Sequence, residues 1–189
     1  MKTSRQLSVK HIVLVGLLAA MTCAGSALRI KVPADIVGTS AFHLGNIMCA
    51  LSGILMGPWL GGLAAGLGSA IYDMLDPVYI QDAWLTFLMK GSYGMLAGLV
   101  ICSGKGDWHY GKATLATVAG ALTYAILYLA KTFFYNGMLF AGLTADAAWV
   151  TVISKLPATT FNAVVAILAA PVLAVALRKA LTRSHLSLD

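Results

Sequence analysis

At 189 residues, 59% hydrophobic and only 11% charged, with a mean hydropathy of +0.84, the chain is far from a soluble enzyme, which carries about 25% charged residues. Its net charge of +6 does not point to nucleic acid, because the basic residues sit in short segments between apolar runs, the pattern that orients a membrane protein. Roughly 20 apolar residues cross a bilayer, so the length allows about six crossings and no separate soluble domain.

A basic tail with Lys2, Arg5 and Lys10 precedes an apolar run that predicts a span over 11–28. Two more runs, 41–57 and 59–75, are divided by Pro58. Spans over 83–103, 113–134 and 147–177 follow, the last containing Pro157 and Pro171. Neighbouring helices satisfy the carbonyls that such prolines free. The expected architecture is an all-α integral membrane protein, one domain over 1–189 with six transmembrane helices.

If the amino terminus is cytoplasmic, the inside segments hold Lys2, Arg5, Lys10, Lys105, Lys112, Arg178, Lys179 and Arg183. The outside loops then hold only Arg29 and Lys31, with Asp35, Asp73, Asp76, Asp82 and Asp146. Basic residues concentrate inside, so both termini are expected in the cytoplasm. A cleavable signal peptide is the competing reading of the start, given its basic tail and the small residues AGSA. The apolar run is long for a signal, and its small residues have a use in packing. No internal repeat of the kind common in secondary transporters is visible.

Three lysines lie inside predicted spans: Lys90 in TFLMKGSYG, Lys131 and Lys155. A lysine at a helix centre costs about 2.5–3.5 kcal/mol. Lys90 falls seven residues into its span, about 10 Å deep at 1.5 Å per residue, and the other two fall in the same outer half. They are expected to surround one site open to the outside. Helical spacing puts Tyr124, Tyr128, Lys131 and Tyr135 on one face, and Lys155, Thr159 and Asn162 on another. Phe87, Lys90 and Gly94 align on a third, with Tyr93 and Trp84 nearby. His43 and Asn46, in FHLGN, stand at the outer start of the second span. Cations, phenols, amides and aromatic faces together suit a small planar polar ligand. The competing structural role for each lysine is snorkelling, or pairing with Asp73, Asp76 or Asp146.

Small residues four apart let helices approach closely in a bilayer. Gly16, Ala20 and Ala24 form such a face on the first span, either for internal packing or for docking another membrane protein. Gly62, Gly66 and Ala70 do so on the third, where internal packing is expected. Cys23, Cys49 and Cys102 stand apart without metal-ligand spacing. No HExxH, GxSxG or CxxC occurs, so neither an enzyme nor a resident cofactor is expected. GDWHYGKA mimics a P-loop but lacks its final Ser or Thr and its preceding strand.

The segment FHLGNIMCALSGILMGPWLGGLAAGLGSAIYDMLDP, followed by TFLMKGSYG, resembles the substrate-binding S components of energy-coupling factor (ECF) transporters. The likeness covers nearly the whole chain and is closest over 42–98, to the riboflavin-type or hydroxymethylpyrimidine/pyridoxine-type branch. The resemblance implies capture of a B-vitamin or precursor from outside, in a pocket capped by the loop 29–41. It also implies delivery to the cytoplasm with a membrane coupling component and two ATPase subunits, and docking through a first-span small-residue motif that falls on Ala20 and Ala24. The candidate ligand residues Lys90, Lys131, Lys155, Tyr93, Tyr128, Asn162, Trp84, His43 and Asn46 rest on depth and facing. The rivals are a stand-alone proton- or ion-coupled porter using Asp73, Asp76 and the lysines, and an intramembrane enzyme.

Overall fold

An apolar run in lipid must satisfy its own backbone hydrogen bonds, and here the long runs do so as helices. The structure, a computed structural model, describes residues 9–33, 39–103 and 109–183. In chain order these form α1 (Val9–Ala27), β1 (Arg29–Pro33), β2 (Thr39–His43) and α2 (Gly45–Leu75). A single 3₁₀ turn (Ile80–Asp82) leads into α3 (Ala83–Cys102), then α4 (Tyr110–Ala130) continues as a π-helix (Lys131–Phe140), and α5 (Ala145–Arg183) closes the bundle. Among the described residues, five helical runs are long and apolar enough to cross a bilayer. Lys2, Arg5, Lys105 and Asp35, which entered the charge count, lie outside the described residues, as does part of GDWHYGKA.

Helix α2 is broken in the middle. Gly57 takes φ 76° and ψ −173°, a left-handed backbone that glycine adopts without steric cost, and Pro58 brings no N–H to continue the ladder. The chain reverses there: a β-carbon at Gly61 would overlap the backbone of Ser52 and Gly53. Pro157 and Pro171, by contrast, lie within a continuous α5.

Glycine and alanine set the helix spacing. A β-carbon at Gly94 of α3 would stand 2.8 Å from the Gly61 carbonyl oxygen and 3.0 Å from Ala65 Cβ. Close backbone approach of this kind is what holds helices together where lipid is as apolar as leucine. Tyr93, fully buried, occupies the space left at Gly120 of α4. Ile47, Ala50, Ala65, Met89, Tyr93, Tyr124 and Ala166 form the upper core, and Leu51, Ile54, Ala97, Ala113 and Ala174 a second layer beyond it. Large apolar side chains such as Leu17, Leu122 and Leu168 point outward, as contact with lipid requires.

Helix α1 leans on the second arm of α2 through Val15, Leu18 and Ala64. Its Gly16, Ala20 and Ala24 face the other way and are exposed, and among the described residues no other element comes within 4 Å of a β-carbon placed at Gly16.

The chain is predominantly helical, as expected, and the departure is confined to one short segment between helices. Residues 29–41, expected as a loop, contribute to an antiparallel hairpin in which Arg29 pairs with His43 and Pro33 with Thr39. Five-residue strands are too short to announce themselves by alternation, and pairing satisfies backbone groups that would otherwise be buried over the helix ends.

Candidate ligand site beneath the hairpin

A cavity of about 130 Å³ lies under the hairpin, walled by residues from β1, β2, α2, α3, α4, the π segment and α5. Helix α3 supplies Thr86, Met89 and Lys90, at spacings that share a face. Lys90 is only 3% exposed. Its Nζ donates to Asn46 Oδ1 and lies 4.0 Å from the centre of the Tyr124 ring. Tyr124 in turn stacks on Tyr128 with centroids 5.7 Å apart and planes 22° apart.

Lys131 stands where α4 widens, and its Nζ reaches Asp82 Oδ2 at 2.5 Å. From α5, Lys155 Nζ donates to the Thr39 carbonyl at 2.9 Å. Asn162 grips the same strand twice. Its Oδ1 accepts the His43 N–H at 2.9 Å and its Nδ2 donates to the Ala41 carbonyl at 2.8 Å.

The other strand is tied to the end of α2. Arg29 meets Asp73 at 3.5 Å, and its guanidinium lies over Tyr72 and Tyr79 at 4.0 and 4.9 Å. Lys31 pairs with Asp76 at 2.6 Å. Hydrogen bonding to Asp76 raises the Lys31 pKa above its ordinary value, against the pull of burial. Burial pushes the Asp76 carboxyl up, but the bonds from Lys31 and the Val78 N–H outweigh it and hold the group below the usual range. The two shifts run in opposite directions, the ammonium up and the carboxyl down, as an ion pair requires. Thr39 Oγ1 and Tyr79 OH are 2.8 Å apart and tie the hairpin to the segment before α3.

His43 forms part of the wall. Burial, then the nearby charges of Lys90 and Arg29, hold its pKa well below the ordinary value. The neutral ring can therefore accept the Gly45 N–H through Nδ1 at 3.2 Å.

The cavity thus brings together Lys90, Lys131, Lys155, Tyr128, Asn162 and His43. Three other sequence candidates lie off the wall. Asn46 sits behind it, 1% exposed, and holds Lys90 in place. Tyr93 is on the Lys90 side of α3 but one turn deeper, packed against Tyr124 at 6.2 Å between centroids. Trp84 is 56% exposed, since six residues from Lys90 is well short of two whole turns, and it meets Tyr135 edge to face at 6.2 Å.

Tyr135 also departs from its expected face. Steps of four hold only while the helix stays α, and from Lys131 the chain is π-helical, with bonds from i to i+5. Asn136, five residues after Lys131, takes the wall position instead. Its Oδ1 is buried with no hydrogen-bond partner among the described residues, leaving an acceptor for a ligand.

Sequence reasoning assigned Arg29, Asp73 and Asp82 to outer loops, yet all three line the cavity. The spacing of Ser69 and Asp73, one helical turn apart at the end of a span, was the signal that places Asp73 on an inward face. Among the described residues no three His, Cys, Asp or Glu side chains converge to hold a metal. The wall offers fixed cations, hydroxyls, amides and a stacked pair of phenols, which is equipment for holding a polar ring.

Comparison with known proteins identifies the family. A Pyrococcus woesei protein described as an uncharacterized protein in the gap 3′ region is 32% identical over 118 residues, which cover 62% of this chain and 74% of the relative. The model of the family described as ECF-type riboflavin transporter, S component, matches residues 6–179. The chain belongs to that family of multi-pass membrane proteins, components of vitamin transporters.

Proposed function

We propose that this chain is the capture subunit of an ATP-driven importer in the bacterial plasma membrane. It takes up a small B-vitamin or precursor, hydroxymethylpyrimidine/pyridoxine-like or riboflavin-like, from the outside. A membrane coupling component and two ATPases then complete delivery to the cytoplasm. The observation that carries this reading is the cavity itself, lying under the hairpin strands and lined by Lys90, Lys131, Lys155 and two stacked tyrosines.

The two arms of α2, separated at Gly57, serve as two crossings and bring the total to six. Both termini then lie in the cytoplasm, in keeping with Lys112, Arg178, Lys179 and Arg183 at the end of the bundle away from the hairpin. The open face of Gly16, Ala20 and Ala24 is the docking surface for the coupling component.

Lys90→Ala tests the reading. It should abolish binding of the small molecule imported by the intact system while the protein still accumulates in the membrane. Full binding by the variant would refute the site. Transport by the purified chain in liposomes, without ATPases, would favour an ion-coupled porter instead.

A further inference from the structure

We infer that Asn136, carried into the wall by the π turn, is a specificity-determining residue that selects ligands presenting a hydrogen-bond donor: a ring N–H, an amino group or a hydroxyl. The inference rests on the capture reading above and narrows the class of compound the site takes.

The first ground is which protons are already engaged. Among the described residues, the uncharged polar side chains that the π segment and α5 give to the wall are Thr132, Asn136, Thr159 and Asn162. A threonine hydroxyl carries one proton. Thr132 Oγ1 donates its own to the Tyr128 carbonyl at 2.8 Å, and Thr159 Oγ1 to the Lys155 carbonyl at 2.9 Å. Both bonds run back along the chain's own helices, so they hold whatever the hairpin does, and they leave the cavity only lone pairs. Asn162 is committed to the backbone of Ala41 and His43. This side of the wall accepts hydrogen bonds.

Asn136 itself is the second ground. Its Oδ1 is buried and has no partner among the described residues, whereas buried acceptors in folded proteins are as a rule satisfied. The amide turns readily about its last bond, so a donor entering the cavity can draw the oxygen to it. Lys90 brings donors to the same cavity, which gives the site a direction: one edge of a ring accepts and another must donate.

The backbone is the third. At ordinary α pitch a step of five residues leaves a side chain about 140° away from its starting direction. The i to i+5 bonds of the π-helix bring Asn136 back to the side of Lys131 instead, and both line the cavity. Widened turns of this kind recur at functional sites, and here the effect is to aim one amide.

The test is calorimetric titration of the full chain in detergent with compounds that differ by one donor. The sets are riboflavin and 3-methylriboflavin; 4-amino-5-hydroxymethyl-2-methylpyrimidine and its analogues with methyl in place of the amino or the hydroxymethyl group; and pyridoxine and its monodeoxy analogues. At least one such change should weaken binding about 10- to 100-fold, because it leaves the Asn136 carbonyl unpaired. Asn136→Leu should shrink that same difference to less than about threefold. Asn136→Asp, which keeps an acceptor oxygen, should hold it at about 10-fold or more. Should Asn136→Leu fail to accumulate, Asn136→Ala carries the same comparison. If no change of donor matters in the parent chain, or if the difference persists undiminished in Asn136→Leu, the inference is overturned while the capture reading stands, since the compounds still bind. Failure of all three donor-bearing compounds to bind the parent chain overturns both.

Discussion

Asn162→Leu should loosen the hairpin without emptying the core. Leucine keeps the branching of asparagine at Cγ, with more bulk, but can neither accept the His43 N–H nor donate to the Ala41 carbonyl, bonds of 2.9 and 2.8 Å. Each lost hydrogen bond is worth about 1 kcal/mol net, and a backbone group left unsatisfied beneath the hairpin raises the loss. Two bonds make about 2–3 kcal/mol, or roughly 30- to 140-fold in the balance between closed and open hairpin. The Lys155–Thr39 and Thr39–Tyr79 bonds remain, so the strand loosens rather than detaches. Hydrogen–deuterium exchange reads this directly: amides of 39–43 should lose protection by that factor, while those of α4 stay within about twofold. Exchange at 39–43 within threefold of the parent chain would show that α5 does not hold the hairpin down.

His43 gives a pH prediction. Its folded pKa lies below its ordinary value of 6.5, so the unfolded chain takes up the proton first on acidification. The associated stability is complete above about pH 6.5 and is lost as pH falls towards the folded value; in His43→Gln the melting temperature should fall less between pH 6.5 and 5. Gly120→Val drives three extra carbons into the Tyr93 ring, which already fills that space. The expected cost is about 1–3 kcal/mol, read as a lower melting temperature in detergent; an unchanged value would mean that α3 and α4 separate easily. Replacing Ala20 and Ala24 together with tryptophan should block transport and leave ligand binding intact, measured as uptake in cells against binding to the purified chain. Undiminished uptake would rule out docking on that face.

The lysines of the site were legible because charge inside an apolar run is expensive and demands a reason. The Gly57–Pro58 break was legible for a similar cause, since a dipeptide so hostile to helix leaves a mark in any sequence. Arg29, Asp73 and Asp82 were not. Charges near the ends of spans read as loop residues, and depth there depends on how far a helix runs before it caps. Trp84 and Tyr93 were grouped with Lys90 on nearness along the chain, which fixes neither rotation nor level. Tyr135 was misplaced because a step of four was carried past Lys131, where the repeat widens. Nothing in KTFFYNG announces that change locally; the widened stretch packs closely against α5, where Gly137 meets Ala148.

That widened stretch makes the bundle unevenly tolerant of changes in length. Removing one residue between Lys131 and Asn136 would let the π turn tighten to ordinary pitch, and the asparagine would keep its azimuth toward the cavity as a fourth neighbour instead of a fifth. The same deletion ahead of Lys90 in α3 has no slack to absorb it. Every later side chain of that helix would swing by about 100°, and the ammonium would be turned out of its berth beside Asn46 and Tyr124.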